Sequence, residues 1–222
     1  YTVSATLLIK GDQNASLSNI FPGSDAYRSQ QNLRNEIGIL KSFDLNRRVM
    51  RELPDFYTVF TKVGKRGIAE TRMYKDCPFV VVFDSLEKQT IGRRIDIRII
   101  PDNKYILRIN GNRDFEKELS FGERFTGMGF DFIIKPRAED FTYDPDNSNK
   151  YYFSFTSPES LANVYRGKLS VSPVEEDASL VQLTTSGFVP EQESDYLNKL
   201  MEVYLDFGLE YKNLTAAQTL NF

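Results

Sequence analysis

The sequence predicts an α+β protein: a mixed α/β core, an inserted antiparallel β-rich subdomain and a long C-terminal helix. Near both ends of the chain, apolar residues recur every three or four positions, which is the period of a helix face. In the middle they alternate with polar residues, which is the period of a half-buried strand. The 222 residues, of which 41% are hydrophobic, are enough chain for one large domain or two small ones.

Near the N-terminus the pattern predicts one strand followed by two helices. The strand is residues 1–10, which are almost all β-branched or apolar. The polar residues 12–25 predict a loop. From about Arg28 the apolar spacing is helical, and Ser42 or Asp44 could cap a second helix after a short break.

Residues 55–136 have almost entirely the pattern of short strands. The turn residues 64–67 separate two apolar segments and predict a hairpin. Alternating or continuous apolar residues predict further strands at residues 79–83, 95–99, 105–109 and 130–134. Their hairpin spacing predicts that 55–136 is the inserted subdomain and that 1–54 and 137–222 together form the core.

The last part of the chain predicts three strands and two helices. The strand patterns are at residues 151–156, 169–172 and 179–185, and Ser157 with Pro158 predicts the start of a short helix. After Pro190 the apolar residues form one helical stripe, at Leu197, Leu200, Met201, Tyr204, Phe207, Tyr211 and Leu214. This stripe predicts a long helix with one packing face.

The composition excludes several classes of function. The absence of histidine excludes a Ser-His-Asp triad, a Cys-His dyad and histidine-ligated zinc. The single cysteine, Cys77, excludes an internal disulfide and has no imidazole base to activate it, so we expect a structural residue. A net charge of −3 argues against a nucleic-acid-binding protein. The longest tight apolar run, 79–83, is far shorter than the ~20 residues of a spanning helix.

Two motifs resemble binding loops but depart from them at the positions that matter. The glycine-rich residues 122–129 lack the Lys and Ser or Thr that follow a P-loop glycine, so we expect turn or bulge glycines. Residues 144–148 resemble the opening of a calcium loop. However, Asn149 stands at its sixth position and Phe155 at its twelfth, which favours a solvated loop.

The charged clusters have ordinary explanations that we prefer. Acids at 175–177, Glu191 and Glu193 lie in a predicted turn and at a helix start, where they complement the dipole. The basic residues are expected to form a solvated helix face and a hairpin turn, the alternative being contact with an anionic polymer or a neighbouring subunit: Arg47, Arg48, Arg51, Lys62, Lys65 and Arg66. We therefore predict no catalytic, cofactor-binding or metal-binding residue and no enzyme activity in this segment.

Three segments, in this order along the chain, resemble one known family. They are 1–10 (YTVSATLLIK), 35–42 (NEIGILKS), and 178–185 (ASLVQLTT) followed by YLNKL at 196–200 and Tyr204. The family is the Wzz-type chain-length determinants, or polysaccharide co-polymerases, of bacteria. The β-rich middle, at 78–83 and 151–155, is similar to the enlarged version that is fused to a cytoplasmic tyrosine autokinase.

This resemblance implies a periplasmic domain between two transmembrane helices of an inner-membrane protein. Members form ring or bell-shaped homo-oligomers and regulate the length of capsular, O-antigen or exopolysaccharide chains. Their implied partners are the polysaccharide polymerase, the growing glycan and an outer-membrane export protein. The kinase of the fused form would lie outside this segment. We expect the regions 28–53 and 190–222 to make the subunit contacts.

Two alternatives stay open from the residues alone. A secreted carbohydrate-binding β-domain without catalysis would need exposed aromatic side chains, and the available candidates are Tyr143, Tyr151 and Tyr152. A hydrolase that uses carboxylates alone is ranked last, because a glycosidase cleft is flanked by aromatic residues and the chain has no tryptophan. Apolar spans flanking the segment in its reading frame would favour the co-polymerase. A signal peptide and an early stop codon would exclude it.

Overall fold

The α+β class is confirmed by the structure. The computed structural model describes residues 1–9, 24–110, 114–139, 143–175 and 180–220, with the backbone alone described for 24–30, 212 and 214–220. Within those ranges the chain forms four α-helices and twelve β-strands, in three antiparallel sheets.

The helices are α1 (Ser24–Leu40), α2 (Phe43–Arg51), α3 (Pro158–Lys168) and α4 (Pro190–Leu220). The strands are β1 (Thr2–Leu8), β2 (Thr58–Val63), β3 (Glu70–Met73), β4 (Phe79–Val82), β5 (Ile95–Ile100), β6 (Lys104–Ile109), β7 (Phe115–Ser120), β8 (Arg124–Gly127), β9 (Phe130–Pro136), β10 (Lys150–Phe155), β11 (Ser170–Pro173) and β12 (Leu180–Ser186). Helix α1 thus begins at Ser24, inside the predicted loop, and residues 12–23 of that loop lie outside the described residues.

The chain divides into two compact units. The terminal unit combines Tyr1–Pro54 with Pro158–Phe222, and the middle unit is Asp55–Ser157. The sequence placed the end of the middle unit at residue 136. The structure places it at residue 157, because β10 lies between β2 and β5 in the largest sheet.

The terminal unit is built around a three-stranded sheet with β12 at its centre. β1 pairs with β12 in the register Thr2↔Ser186 to Leu8↔Leu180, and β11 pairs with the other edge of β12. The inner face of this sheet buries apolar side chains, among them Leu7, Val181 and Leu183. Helix α2 packs against both α3 and α4.

Ser42, one of the two residues predicted to be able to cap the second helix, is the N-cap of α2. Its Oγ accepts a hydrogen bond from the Leu45 backbone N–H at 3.2 Å, which satisfies one of the free amides of the first turn. Asp44 instead lies within that first turn, where its carboxylate complements the helix dipole. The two-residue break at 41–42 between α1 and α2 therefore contains the residue that caps α2.

The middle unit consists of a six-stranded sheet, in the order β3-β2-β10-β5-β6-β7, and a three-stranded sheet, β4-β9-β8. Their buried faces share one core, which is rich in phenylalanine rings: Phe60, Phe79, Phe121, Phe125, Phe130, Phe132, Phe153 and Phe155. Several of these rings meet edge to face, an arrangement that aromatic quadrupoles favour.

The two ends of the middle unit lie side by side. Thr58, at the start of β2, pairs with Phe155, at the end of β10. The Thr156 backbone N–H also donates to the Tyr57 carbonyl oxygen at 2.9 Å. Because entry and exit are adjacent, a short linker can replace this whole unit in a deletion variant.

Burial fades along the predicted stripe of α4. Leu197 and Leu200 are fully buried, whereas Tyr211 is 67% exposed and the side chain of Leu214 lies outside the described residues. Leu205 and Leu209, one turn apart, are also exposed, at 55% and 61%. None of the described helices, α4 included, contains an apolar stretch sufficient to cross a bilayer.

Candidate functional site

The segment 35–42, which carries the family resemblance, is fixed in place by a buried hydrogen-bond network. Asn46, fully buried on α2, donates through Nδ2 to the carbonyl oxygens of Leu40, at 3.0 Å, and Ser42, at 2.8 Å. Its Oδ1 accepts from the Tyr196 hydroxyl on α4 at 2.6 Å. The Tyr196 ring packs in turn on Tyr165 of α3, with centroids 4.5 Å apart. One asparagine thus joins the end of α1 to α2 and α4.

A second contact links the same segment to α4. The Tyr204 hydroxyl donates to Glu36 Oε2 at 2.7 Å. Burial and this hydrogen bond to Glu36 raise the pKa of Tyr204 above its usual range, because both favour the neutral hydroxyl over the phenolate. Glu36 lies on α1, and α1 is therefore tied to α4 about two turns beyond the Asn46 contact.

The three arginines of α2 each have an acidic partner within the terminal unit. Arg47, Arg48 and Arg51 pair with Asp44, Glu210 and Glu159 at 3.2, 2.9 and 3.7 Å. Exposed pairs of this kind contribute roughly 0.2–1 kcal/mol each to stability. Their arrangement supports the predicted solvated helix face.

Glu193, which the sequence placed at an ordinary helix start, is a buried carboxylate. It lies in the first turn of α4 and is only 2% exposed. The Thr185 hydroxyl donates to Oε2 at 2.7 Å and Lys168 Nζ to Oε1 at 3.3 Å. It therefore links β12 and α3 to α4 and serves to hold the unit together.

Because Gly187 has no side chain, the Glu193 carboxylate can lie directly against it. A Cβ built on Gly187 would overlap Glu193 Oε1. We therefore expect Gly187→Ala to lower the free energy of unfolding by about 2 kcal/mol, the usual cost of overpacking, as measured by urea denaturation. In the Glu193→Ala background the same substitution should cost much less, because the overlapping atom is gone. An equal cost in both backgrounds would contradict this explanation.

Cys77 is a buried structural residue. It is 1% exposed and belongs to the aromatic core of the middle unit. Burial raises the pKa of its thiol to about 12. Because the thiolate is the reactive form, this thiol is not available as a nucleophile near neutral pH.

The Cys77 thiol should make the middle unit less stable at alkaline pH. Its ordinary pKa is 9.0 and its folded pKa about 12, so between these values the unfolded chain binds fewer protons and stability falls as pH rises. Tyr151, whose pKa burial raises to about 12, acts in the same direction. Urea denaturation at pH 7.5, 9.0 and 10.5 should show a shallower decline for Cys77→Ala. Parallel declines would contradict a role for the thiol.

The two loop motifs form turns. Gly127, Met128 and Gly129 all have positive φ and make the tight connection between β8 and β9, as expected of turn glycines. Asp144 Oδ1 accepts from the Asp146 N–H at 2.8 Å, and Phe155, at the twelfth position, is fully buried in the core of the middle unit. Among the residues with described side chains, no group of three or more acids or cysteines is placed to hold a metal ion.

The three tyrosines considered for glycan stacking do not form one platform. The Tyr151 side chain is buried and meets Phe79 edge to face, with centroids 5.6 Å apart. Tyr152 faces the other side of the sheet, but the Arg94 guanidinium covers its ring at 3.7 Å. Tyr143 is 38% exposed. The aromatic surface expected of the carbohydrate-binding alternative is therefore not assembled by these residues.

Comparison of the sequence with models of known protein families gave no match, and neither did comparison with curated proteins.

Proposed function

We propose that this chain is the periplasmic domain of a Wzz-type polysaccharide co-polymerase in the bacterial inner membrane, in the enlarged form fused to a cytoplasmic tyrosine autokinase. It regulates the length and export of capsular or exopolysaccharide chains. Its mechanism is geometric: a homo-oligomer presents a repeated surface to the polymerase, the growing glycan and an outer-membrane export protein. No bond is formed or broken in this segment.

The observation that carries the proposal is the meeting of the three resembling segments in one unit. β1, from the first segment, pairs along its whole length with β12, from the third. Glu36, from the second, accepts a hydrogen bond from Tyr204, which follows the third. The third segment lies more than 130 residues after the other two in the chain, yet it contacts both of them in one unit.

The exposed part of α4 supports a role in assembly. Leu205 and Leu209 lie four residues apart on this helix, so their side chains share a face. Exposed neighbouring apolar side chains of this kind often mark protein interaction sites. We assign them to subunit contacts in the full-length protein.

The cellular test compares surface polysaccharide lengths on a gel. Cells without the parent protein should lose the preferred chain length, and the parent gene expressed from a plasmid should restore it. A parent in which a short linker replaces residues 55–157 tests the role of the middle unit. An unchanged profile after deletion of the parent, in a strain with no paralogue, would overturn the proposal.

The contact surface is tested with point variants. Leu205→Glu combined with Leu209→Glu should reduce the size of the detergent-extracted oligomer, because each charge would be buried in a subunit contact. Val164→Glu is the matched control, since Val164 is an exposed residue of α3. An unchanged oligomer size in the double variant would show that this face of α4 does not lie in the subunit contact.

A further inference from the structure

The outer face of the six-stranded sheet carries a polar groove. It has a volume of about 510 Å³ and crosses five strands, from β2 to β7. With strands ~4.8 Å apart, this is a length of roughly 19 Å, enough for a short stretch of polymer. Tyr151, Ile97 and Leu107 point into the core, so the residues that alternate with them line the opposite face.

Two cations stand side by side in this groove. Lys150 of β10 and Arg98 of β5 are direct cross-strand partners, and both are exposed. Like charges in this position destabilise a sheet. In the part of the chain that the structure describes, neither side chain has an ion pair or hydrogen bond, although both line the groove.

The acids nearby are already engaged. Asp96 pairs with Arg94 at 2.7 Å, and Glu116 pairs with Arg108 at 3.0 Å. Glu118, which lies in the same cross-strand row as Arg98 and Lys150, pairs with Lys104 at 2.9 Å. Arg98 and Lys150 are therefore left as a local excess of positive charge.

We propose that this groove binds an acidic glycan, with Arg98 and Lys150 contacting a sugar carboxylate. A guanidinium binds a carboxylate through two parallel hydrogen bonds, and the neighbouring ammonium adds a point charge. The inference rests on the proposed function and deepens it, because it names the class of polymer that the middle unit recognises.

The groove suits a glycan better than a nucleic acid. Its engaged carboxylates, Asp96 and Glu116, retain free acceptor sites for sugar hydroxyls but would repel a dense row of phosphates. The ring of Tyr152, on the same face, is covered by Arg94 and offers no surface for base stacking. A polymer with spaced charges and many hydroxyls fits this combination.

The test measures binding of defined oligomers to the 222-residue chain by calorimetry. Oligogalacturonate should bind, more weakly at 300 mM than at 50 mM salt, and neutral cello-oligosaccharides should not. Arg98→Gln combined with Lys150→Gln should weaken oligogalacturonate binding at least about tenfold, the usual effect of losing charged hydrogen bonds. Lys135→Gln, at an exposed lysine of the other sheet, should leave binding unchanged.

Three results would overturn the inference. They are no binding of oligogalacturonate, equal binding to the double variant and the original, and equal competition by inorganic phosphate or a DNA oligonucleotide. If oligogalacturonate does not bind but the deletion strain loses its preferred chain length, only the glycan site is refuted and the proposed function stands. Binding that depends on the two cations, with an unchanged polymer profile in that strain, removes the proposed function and leaves the site standing.

Discussion

Replacing Phe153 by alanine should lower the free energy of unfolding of the middle unit by about 3–5 kcal/mol, the usual cost of removing a large aromatic ring from a core. Phe153 is fully buried and lies within 5.6 Å, between ring centroids, of both Phe132 and Phe155. It also touches the rings of Phe60 and Phe79. The substitution therefore leaves a cavity at the junction of the two sheets.

Urea denaturation followed by far-UV circular dichroism measures this effect, with hydrogen exchange of β5 and β10 amides assigning it to the middle unit. Ile68→Ala is the control, because Ile68 belongs to the same unit but is 85% exposed. It should change stability by less than about 0.5 kcal/mol. A loss below about 1 kcal/mol for Phe153→Ala would mean that the core can collapse around the missing ring.

Replacing Asn46 by alanine should lower the free energy of unfolding of the terminal unit by about 3 kcal/mol. The substitution removes three hydrogen bonds and leaves the Tyr196 hydroxyl buried without its acceptor. An unsatisfied buried polar group costs about 1–3 kcal/mol, and the lost volume adds to it. Denaturation monitored through α2 and α4 amide exchange reports the change.

A double-mutant cycle separates the contribution of the Asn46–Tyr196 hydrogen bond from the other effects of replacing Asn46. Tyr196→Phe alone should cost about 1–2 kcal/mol, and the two substitutions together should cost less than their sum. Asn35→Ala is the matched control, because Asn35 is exposed on α1. Strict additivity of Asn46→Ala and Tyr196→Phe would show that this hydrogen bond contributes nothing to stability.

The elements with strong periodicity could be predicted from the sequence, and the weakly patterned ones could not. The capping residue Ser42, the β2–β3 hairpin and the alternating strands β5, β6 and β9 all follow from local pattern. β7 and β8 were not predicted. Each buries little apolar surface, with Leu119 as the one buried side chain described in β7 and Phe125 as the one in β8.

Long-range pairing explains the other differences. The sequence pattern shows that β10 is a strand, but its position between β2 and β5 depends on residues about 50 to 90 positions away. The same is true of Glu193, whose burial depends on Thr185, Lys168 and the space at Gly187. The like-charged pair Arg98 and Lys150 also arises only through register. Spacing along the chain carries none of this information.

The pairing of β1 with β12 dictates the order in which the protein can fold during synthesis. β1 is synthesised before its partner β12, which follows roughly 180 residues later, a delay of about 10–35 s at ordinary elongation rates. The middle unit is continuous in sequence and has all its strands before β12 is made. The middle unit can therefore fold while β1 is still unpaired. In the folded protein the hydroxyls of Thr2 and Ser4 contact those of Ser186 and Thr184. In the unpaired β1 they form a polar face, which disfavours association with other chains.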